Sequence, residues 1–141
     1  MAKLLNISDA ASLALHSMVF LASNRERNIS TKQIADALNA SENHLSKVMQ
    51  RLVRGKLIES KRGPAGGFVI SKPLDKITFM EIYESVDGKF DLNTCLFLHS
   101  ICNGKGCILG HLPEMIHDQV QGFFIKTTLQ EFKNGFFSDQ I

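Results

Sequence analysis

Apolar side chains recur every three or four residues in five stretches of the chain, and this spacing predicts five amphipathic helices. Each stretch has a start signal: a Ser or Thr that can cap a helix precedes the first four, and Pro113 falls in the first turn of the last. Ser30 with Gln33, and Thr78 with Glu81, have the spacing of capping boxes. The predicted helices span about residues 8–22, 30–38, 41–55, 78–88 and 113–133.

A β-hairpin is predicted between the third and fourth helices, where two strand-like runs, 57–62 and 68–71, flank a turn rich in Gly and Pro. Asn39 marks a tight turn between the second and third helices. Gly55 is expected to end the third helix in the left-handed conformation. Two short helices followed by a hairpin are typical of a winged helix-turn-helix.

The predicted fold is therefore mainly α: a winged helix-turn-helix with a small β-hairpin wing and a long C-terminal helix. We divide the chain into a winged helix-turn-helix domain at 1–75 and a second region at 76–141 that contains the last two helices. The stretch 89–110 between those helices has weak periodicity and is predicted to be mostly loop.

Charge is distributed unevenly along the chain. The net charge of the 141 residues is +2. Residues 24–62 contain nine Lys or Arg and four Asp or Glu, a local charge of +5, which leaves −3 on the rest. A basic region in a nearly neutral chain suggests a surface for a polyanion, although a solvated basic face gives the same count.

The third predicted helix has the side chains that a nucleic-acid surface needs. Its apolar positions face inward, and cationic positions recur on the opposite side. A helix fits the major groove, and cations and glycines of a wing can approach phosphates or a narrow minor groove. Lys47 and Arg51 are stronger candidates than His44, and a winged helix used for protein contacts is the alternative. The candidate DNA contacts are Ser41, His44, Lys47, Gln50, Arg51, Arg54, Lys61, Arg62, Gly66 and Gly67.

Three cysteines lie close together in the predicted loop, with the spacing Cys-x6-Cys-x4-Cys; they are Cys95, Cys102 and Cys107. An odd number of cysteines in one short stretch argues against a disulfide framework and favours metal binding or thiol chemistry. The glycine-rich residues 103–106 could wrap a cofactor.

Several classes of protein are excluded or disfavoured. No apolar run approaches the roughly 20 residues that span a bilayer, and no signal peptide precedes the first helix, so we expect a cytoplasmic protein without membrane partners. No phosphate-binding loop, nucleophile elbow or Cys-x-x-Cys motif is present, so we do not expect an enzyme. A small iron–sulfur electron carrier would leave the helix-turn-helix unexplained.

Four motifs resemble the Rrf2 family of bacterial transcription regulators: NHLSKVMQRL at 43–52, GKLI at 55–58, RGPAGGF at 62–68 and ITFMEIYESVDG at 77–88. The resemblance extends over about 8–133. It implies a homodimer built on the long C-terminal helix, and double-stranded DNA operators with two-fold symmetry. Some members of the family hold an iron–sulfur cluster on three cysteines between the post-wing helix and the last helix.

The resemblance therefore implies an iron–sulfur cluster on Cys95, Cys102 and Cys107, with the cluster type left open. His111 is our candidate for a fourth ligand, and His99 is an alternative. In related members an acidic residue of the partner's first helix supplies that ligand, but Ser12 occupies the position here and Asp9 is a distant substitute. A cluster-free regulator that uses a cysteine thiol redox switch is the other hypothesis.

The last predicted helix has an apolar strip that we assign to the dimer interface. The strip consists of Ile116, Val120, Phe123 and Phe124, with Gly122 beside it. So much apolar surface is unusual on a small monomer, and a glycine in mid-helix permits close helix approach at some cost in helix stability.

Overall fold

The computed structural model describes residues 5–92, 95–97, 99–103 and 105–135, and the elements below lie within these ranges. Helices and strands follow one another in the predicted order. They are α1 (Asp9–Ser23), α2 (Thr31–Leu38), α3 (Glu42–Arg54), β1 (Ile58–Lys61), β2 (Gly67–Ile70), α4 (Phe79–Asp87) and α5 (Leu112–Lys126), with short 3-10 helices at Leu74–Lys76 and Leu129–Phe132. No helix in these ranges is both long enough and apolar enough to cross a membrane.

Helix starts are where the capping residues predict them. The Ser8 hydroxyl accepts a hydrogen bond from the Ala11 amide at 3.0 Å, which satisfies one of the unpaired donors of the first turn of α1. Both predicted capping boxes are formed at the starts of α2 and α4, each with its two reciprocal hydrogen bonds. Asn39 is left-handed, with φ of 51°, and ends α2 at the turn of the helix-turn-helix.

Helix α3 ends at Gly55 as predicted, but the expected left-handed conformation of Gly55 is wrong. Gly55 follows α3 in the right-handed conformation, and Lys56 is the residue with positive φ, at 61°. A Cβ at position 55 would lie 2.9 Å from the Ser85 Cβ of α4. The glycine is therefore required by the close approach of α3 to α4 and not by backbone handedness.

One continuous apolar core joins α1, the helix-turn-helix, the wing and α4. Its largest fully buried side chains include Met18, Phe20, Ile34, Met49, Leu52, Ile58 and Ile82. A second cluster packs α5 against α1 and α4 and consists of Ala11, Tyr83, Phe90, Leu92 and Phe124. The division of the chain at 75/76 remains a prediction.

The wing is an antiparallel hairpin in which Ile58 pairs with Ile70 and Lys61 with Gly67. The residue after Gly67 also forms a bridge to the loop before α2: the Ile29 amide donates to the Phe68 carbonyl at 3.2 Å, and the Phe68 amide donates to the Ile29 carbonyl at 2.8 Å. The wing is thus hydrogen-bonded to the body of the protein.

The C-terminal helix is shorter than predicted, because α5 ends at Lys126 and not near Lys133. Thr127 takes an extended conformation, and its carbonyl accepts a hydrogen bond from the Phe79 amide at 3.0 Å. The Leu129 amide then donates to the Ile77 carbonyl, also at 3.0 Å. The Ile77 carbonyl and the Phe79 amide at the start of α4 thus gain partners that a continuing α5 would not supply. Thr127 and Thr128 are β-branched, which also favours the extended form.

Candidate nucleic-acid interface and cysteine loop

Helix α3 is buried on one side and exposed on the other. Leu45, Val48, Met49 and Leu52 are at most 1% exposed. At about 100° per residue, the direction opposite to them is occupied by Asn43, Lys47, Gln50 and Arg54, which we call the α3 outer face. Sequence reasoning missed Asn43, although the same helical spacing identifies it.

The remaining α3 candidates lie beside this face. Ser41 is the N-cap, and its hydroxyl accepts from the His44 amide at 3.3 Å, so the hydroxyl already has a structural partner. Arg51 lies on the edge of the face, and its Nη1 donates to the Val86 carbonyl of α4 at 3.0 Å. The structure therefore separates Arg51 from Lys47, which sequence reasoning had ranked together.

The wing presents Lys61 and Arg62 in exposed positions. Lys61 Nζ lies 3.3 Å from Glu59 Oε2, with both side chains more than half exposed. Such a surface pair contributes little, so the lysine can exchange it for another anion. Asn28 Nδ2 donates to the Ala65 carbonyl at 3.1 Å and holds the wing turn to the loop before α2.

The wing glycines have reasons within the protein itself. A Cβ at Gly67 would lie 2.6 Å from the Ile29 carbonyl carbon and oxygen, and one at Gly66 would lie 2.4 Å from the Lys61 carbonyl oxygen. Gly63 has φ of 110° and nothing near a would-be Cβ. Gly66 is therefore explained by close approach inside the hairpin and Gly67 by close approach to the loop before α2, and of the three only Gly63 is at an open turn.

An open groove of about 980 Å³ runs from the end of α3 to the base of the wing. Three cations, Lys56, Arg62 and Lys72, and the carboxylate of Glu59 are among its lining residues. Lys72 Nζ is 3.2 Å from Glu81 Oε1, which partly neutralises one of the cations. The groove nevertheless joins the basic end of α3 to the basic wing in one surface.

The cysteine loop places its three thiols differently. Cys95 and Cys107 are exposed, Cys102 is half-buried, and none of them is in a disulfide. The Leu109 amide donates to Cys107 Sγ at 3.4 Å, and Ser100 Oγ lies 3.5 Å from Cys102 Sγ. Within the described ranges, no three His, Cys, Asp or Glu side chains are grouped closely enough to hold a metal ion. Gly104, part of the predicted cofactor-wrapping turn, lies outside those ranges.

The candidate fourth ligands are both exposed. His111 precedes α5 in the N-cap position, its side chain is 93% exposed, and its Nδ1 lies 3.1 Å from Glu114 Oε2. His99 is exposed in the loop. The donor set of three thiols and an imidazole is of the kind that binds iron–sulfur clusters, and the amide donating to Cys107 is the sort of hydrogen bond that tunes a coordinating sulfur.

The predicted apolar strip of α5 is buried along one edge and exposed along the other. Phe124 is only 5% exposed and contacts the rings of Phe79, Tyr83 and Phe90, so it offers almost no area to a partner. Ile116 and Val120 are half-buried on the same side. Leu112, Met115 and Phe123, at 46%, 61% and 57% exposure, form what we call the α5 outer face. Phe123 borders the buried side, because its ring also contacts the Phe79 ring at a centroid distance of 6.1 Å.

The family profile whose description is "Iron-dependent Transcriptional regulator" matches residues 7–135, nearly the whole chain. The chain belongs to the Rrf2 family. A helix-turn-helix regulator of Aquifex aeolicus is 33% identical over 130 residues, which are 90% of each protein. The regulator IscR of Photorhabdus laumondii is 27% identical over 87% of this chain and 71% of its own length. The structure of CymR (YrzC), the global cysteine regulator of B. subtilis, superimposes with a TM-score of 0.72 at 28% identity, covering 94% of this chain and 97% of that one.

Membership in the Rrf2 family confirms the main conclusion from the sequence, a transcription regulator with a mainly helical winged-helix fold. The relatives are regulators and not enzymes, as the missing catalytic motifs predict. Which residues contact DNA and what the cysteines hold stay predictions.

Proposed function

We propose that this Rrf2 regulator binds double-stranded DNA as a homodimer and that its cysteine loop holds an iron–sulfur cluster whose state sets DNA affinity. The observation that carries the DNA half is the continuity of the basic surface. Lys47 and Arg54 are exposed on α3, and the groove lined by Lys56, two residues after Arg54, is also lined by Arg62 of the wing. A rigid cationic helix beside a cationic hairpin suits one groove and its flanking phosphates.

In this arrangement the α3 outer face enters the major groove. Asn43 and Gln50 have amides that can pair in bidentate fashion with adenine, whereas Lys47 and Arg54 suit guanine or phosphate. Lys61 and Arg62 contact phosphates or a narrow minor groove. The helix then supplies sequence discrimination, and the wing supplies mainly affinity.

Salt titrations test this division of roles. The probe is a duplex selected from a random pool by the wild-type protein. Lys61→Ala should weaken binding and lower the slope of log K against log salt by about 1, with no change in preferred sequence. Gln50→Ala should relax discrimination at one base pair, at a cost of roughly 1–3 kcal/mol. Lys133→Ala, which removes an exposed lysine outside this surface, is the matched control. Unchanged affinity in both test variants would contradict the docking.

The dimer is proposed to form through the α5 outer face. Leu112, Met115 and Phe123 leave apolar surface in water on a helix whose opposite side is already packed. Gly122 supports this assignment, because an added Cβ there meets nothing within 4 Å in the protomer. A mid-helix glycine costs about 1 kcal/mol of helix stability relative to alanine. Close packing of the α5 of a second protomer against Gly122 would offset that cost. A two-fold dimer would present two α3 helices to an operator with two-fold symmetry.

The cysteine loop is the proposed sensor. Cys95, Cys102 and Cys107 would hold the cluster through their thiolates, and His111 is the candidate fourth ligand. A bound cluster would supply a redox-active or labile group that iron, oxygen or nitric oxide can alter. Because the loop connects α4 to α5, gathering its three thiols would change the path of the chain between the DNA-binding part and the proposed dimer helix.

The test replaces each cysteine by serine and purifies the proteins without oxygen. We expect the wild type to take up iron and sulfide and to absorb in the visible, and each variant to lose iron and to change in DNA affinity. His117→Ala, at a histidine of α5 that packs on Phe90 and is not assigned as a ligand, is the control. Full iron in all three cysteine variants, or no uptake by the wild type on reconstitution, would contradict the cluster.

A thiol switch is the second candidate, favoured by the absence of a metal-binding group among the described side chains and by the exposure of Cys95 and Cys107. Two thiols would lose two protons and two electrons to peroxide, which is reduced to water, and a disulfide would form. DNA binding that follows peroxide and dithiothreitol in iron-free protein would support this candidate over the cluster.

A further inference from the structure

Arg51 differs from the other cations of α3 in what it contacts. Its Nη1 donates to the Val86 carbonyl at 3.0 Å across the α3–α4 junction. That carbonyl belongs to the last turn of α4, where the final carbonyls of a helix lack partners within the helix. The cation also sits at the negative end of the α4 dipole, which favours it there.

The same two helices also approach each other closely one turn further along. Gly55 lies four residues after Arg51, and a Cβ added to it would be 2.9 Å from the Ser85 Cβ, the residue before Val86. Arg51 and Gly55 therefore hold adjacent points of α3 against adjacent points of α4. The tilt of α3, and with it the direction of the α3 outer face, depends on this junction.

The same end of α4 begins the cysteine loop. Asp87 accepts a hydrogen bond from the Ser8 hydroxyl at 2.6 Å, which ties the helix end to the start of α1. Phe90 and Leu92 are then buried at 6% and 5% exposure, and Cys95 follows three residues later. The chain from the junction to the first thiol is thus short and anchored by packed side chains.

We propose that Arg51 is a positioning residue for DNA binding: its hydrogen bond to the Val86 carbonyl orients α3 against the stem of the cysteine loop instead of contacting DNA. A positioning residue affects every contact of α3 together, because it alters the direction of the whole helix. A second consequence, which rests on the proposed function, is that Arg51 transmits the state of the loop to α3.

The decisive experiment compares Arg51→Met with Arg54→Met, two changes that remove the same group from one helix. The probe is the duplex selected by the wild type, together with its single base-pair substitutions. We expect Arg51→Met to weaken binding roughly three- to thirty-fold. The weakening should be uniform across the substituted duplexes and should leave the salt slope unchanged. Arg54→Met should lower the slope by about 1 or relax one base pair.

Three results would overturn the proposal. A slope lowered by about 1 in Arg51→Met would show a phosphate contact, and lost discrimination at a single base pair would show a base contact. Unchanged affinity would also overturn it. Arg51→Gln guards against a folding defect, since it keeps an amide donor without the charge. If Arg51→Gln keeps the wild-type salt slope and has an affinity between those of the wild type and Arg51→Met, the result supports positioning. A slope lowered by about 1 in Arg51→Gln again refutes it.

The transmission is tested with the triple Cys→Ser protein, which fixes the loop in one state. If the wild type and this protein differ in DNA affinity, that difference should shrink towards onefold when both carry Arg51→Met. A difference that persists undiminished would refute transmission through Arg51. If the wild type and the triple variant bind DNA equally, sensing by the loop fails, and the salt slopes still decide the role of Arg51.

Discussion

Gly67 is the point at which the wing meets the body of the protein, and Gly67→Ala tests that junction directly. The new Cβ would lie 2.6 Å from the carbonyl carbon and oxygen of Ile29, so the two backbones must separate. Separation breaks the bridge between Ile29 and Phe68, whose hydrogen bonds are 3.2 and 2.8 Å long. Each contributes about 1 kcal/mol, and Ile29 is fully buried, so we expect a loss of roughly 2–3 kcal/mol.

Thermal and urea unfolding, followed by circular dichroism at one fixed protein concentration, measure this loss. At roughly 3 °C per kcal/mol, Gly67→Ala should melt about 6–9 °C below the wild type. Gly63→Ala is the matched control: Gly63 and Gly67 both have positive φ, at 110° and 158°, but a Cβ at Gly63 meets nothing, so its cost is backbone strain alone, about 1–2 kcal/mol. A Gly67→Ala protein as stable as the wild type would refute the close approach.

Three further predictions follow from other sites. Phe123→Glu should give monomers or insoluble protein by light scattering, whereas Gln121→Glu, on another side of α5, should stay dimeric; a soluble dimer of Phe123→Glu would remove the α5 outer face from the interface. Ser17→Ala should raise the free energy of unfolding by about 1 kcal/mol, because the buried Ser17 hydroxyl has no hydrogen-bond partner in the described structure; lower stability would reveal a partner. Burial, reinforced by the carboxylate of Asp87, raises the pKa of the Tyr83 phenol above its usual 10.0. The stabilisation that the protonated phenol gives the folded state is therefore present below pH 10 and is lost as pH rises through the folded pKa. Urea unfolding from pH 8 to 11 should thus show a steeper loss for the wild type than for Tyr83→Phe.

Local signals in the sequence were sufficient for most of the fold. Ser8, Ser30 and Thr78 mark helix starts because a cap and its amide are only three residues apart. The end of α5 could not be predicted in the same way. It depends on Thr127 pairing with Phe79, a contact between residues far apart in the chain, and the two threonines after Lys126 are only a weak local signal for it.

The candidate site likewise has features that sequence predicts and features that depend on contacts between distant residues. Helical periodicity predicts which side of α3 is exposed, and it identifies Lys47 and Arg54 correctly as exposed cations. It cannot predict that Arg51 is bonded to α4, because the acceptor is a backbone carbonyl that carries no sequence signal. The assignment of Phe124 to an exposed strip failed for a related reason: apolar residues at helical spacing do not say which neighbour covers them.

Helix α5 connects the proposed dimer interface to α4, and through α4 to the proposed DNA-binding helix α3, by one packed cluster. Its outer face is available to a partner, while Phe124 on its inner side contacts Phe79 and Tyr83 of α4 at ring-centroid distances of 6.0 Å. Helix α4 in turn holds α3 through the Arg51 hydrogen bond. The two α3 helices of a dimer must be about 34–36 Å apart to bind one face of DNA. A small rotation of α4 in either protomer would therefore move one α3 away from its half-site. Because the cysteine loop joins α4 to α5, ordering a few of its residues would, under the proposed function, alter both the dimer and the direction of α3. A coupling of about 1–3 kcal/mol at that position would make a usable switch without any large change in either domain.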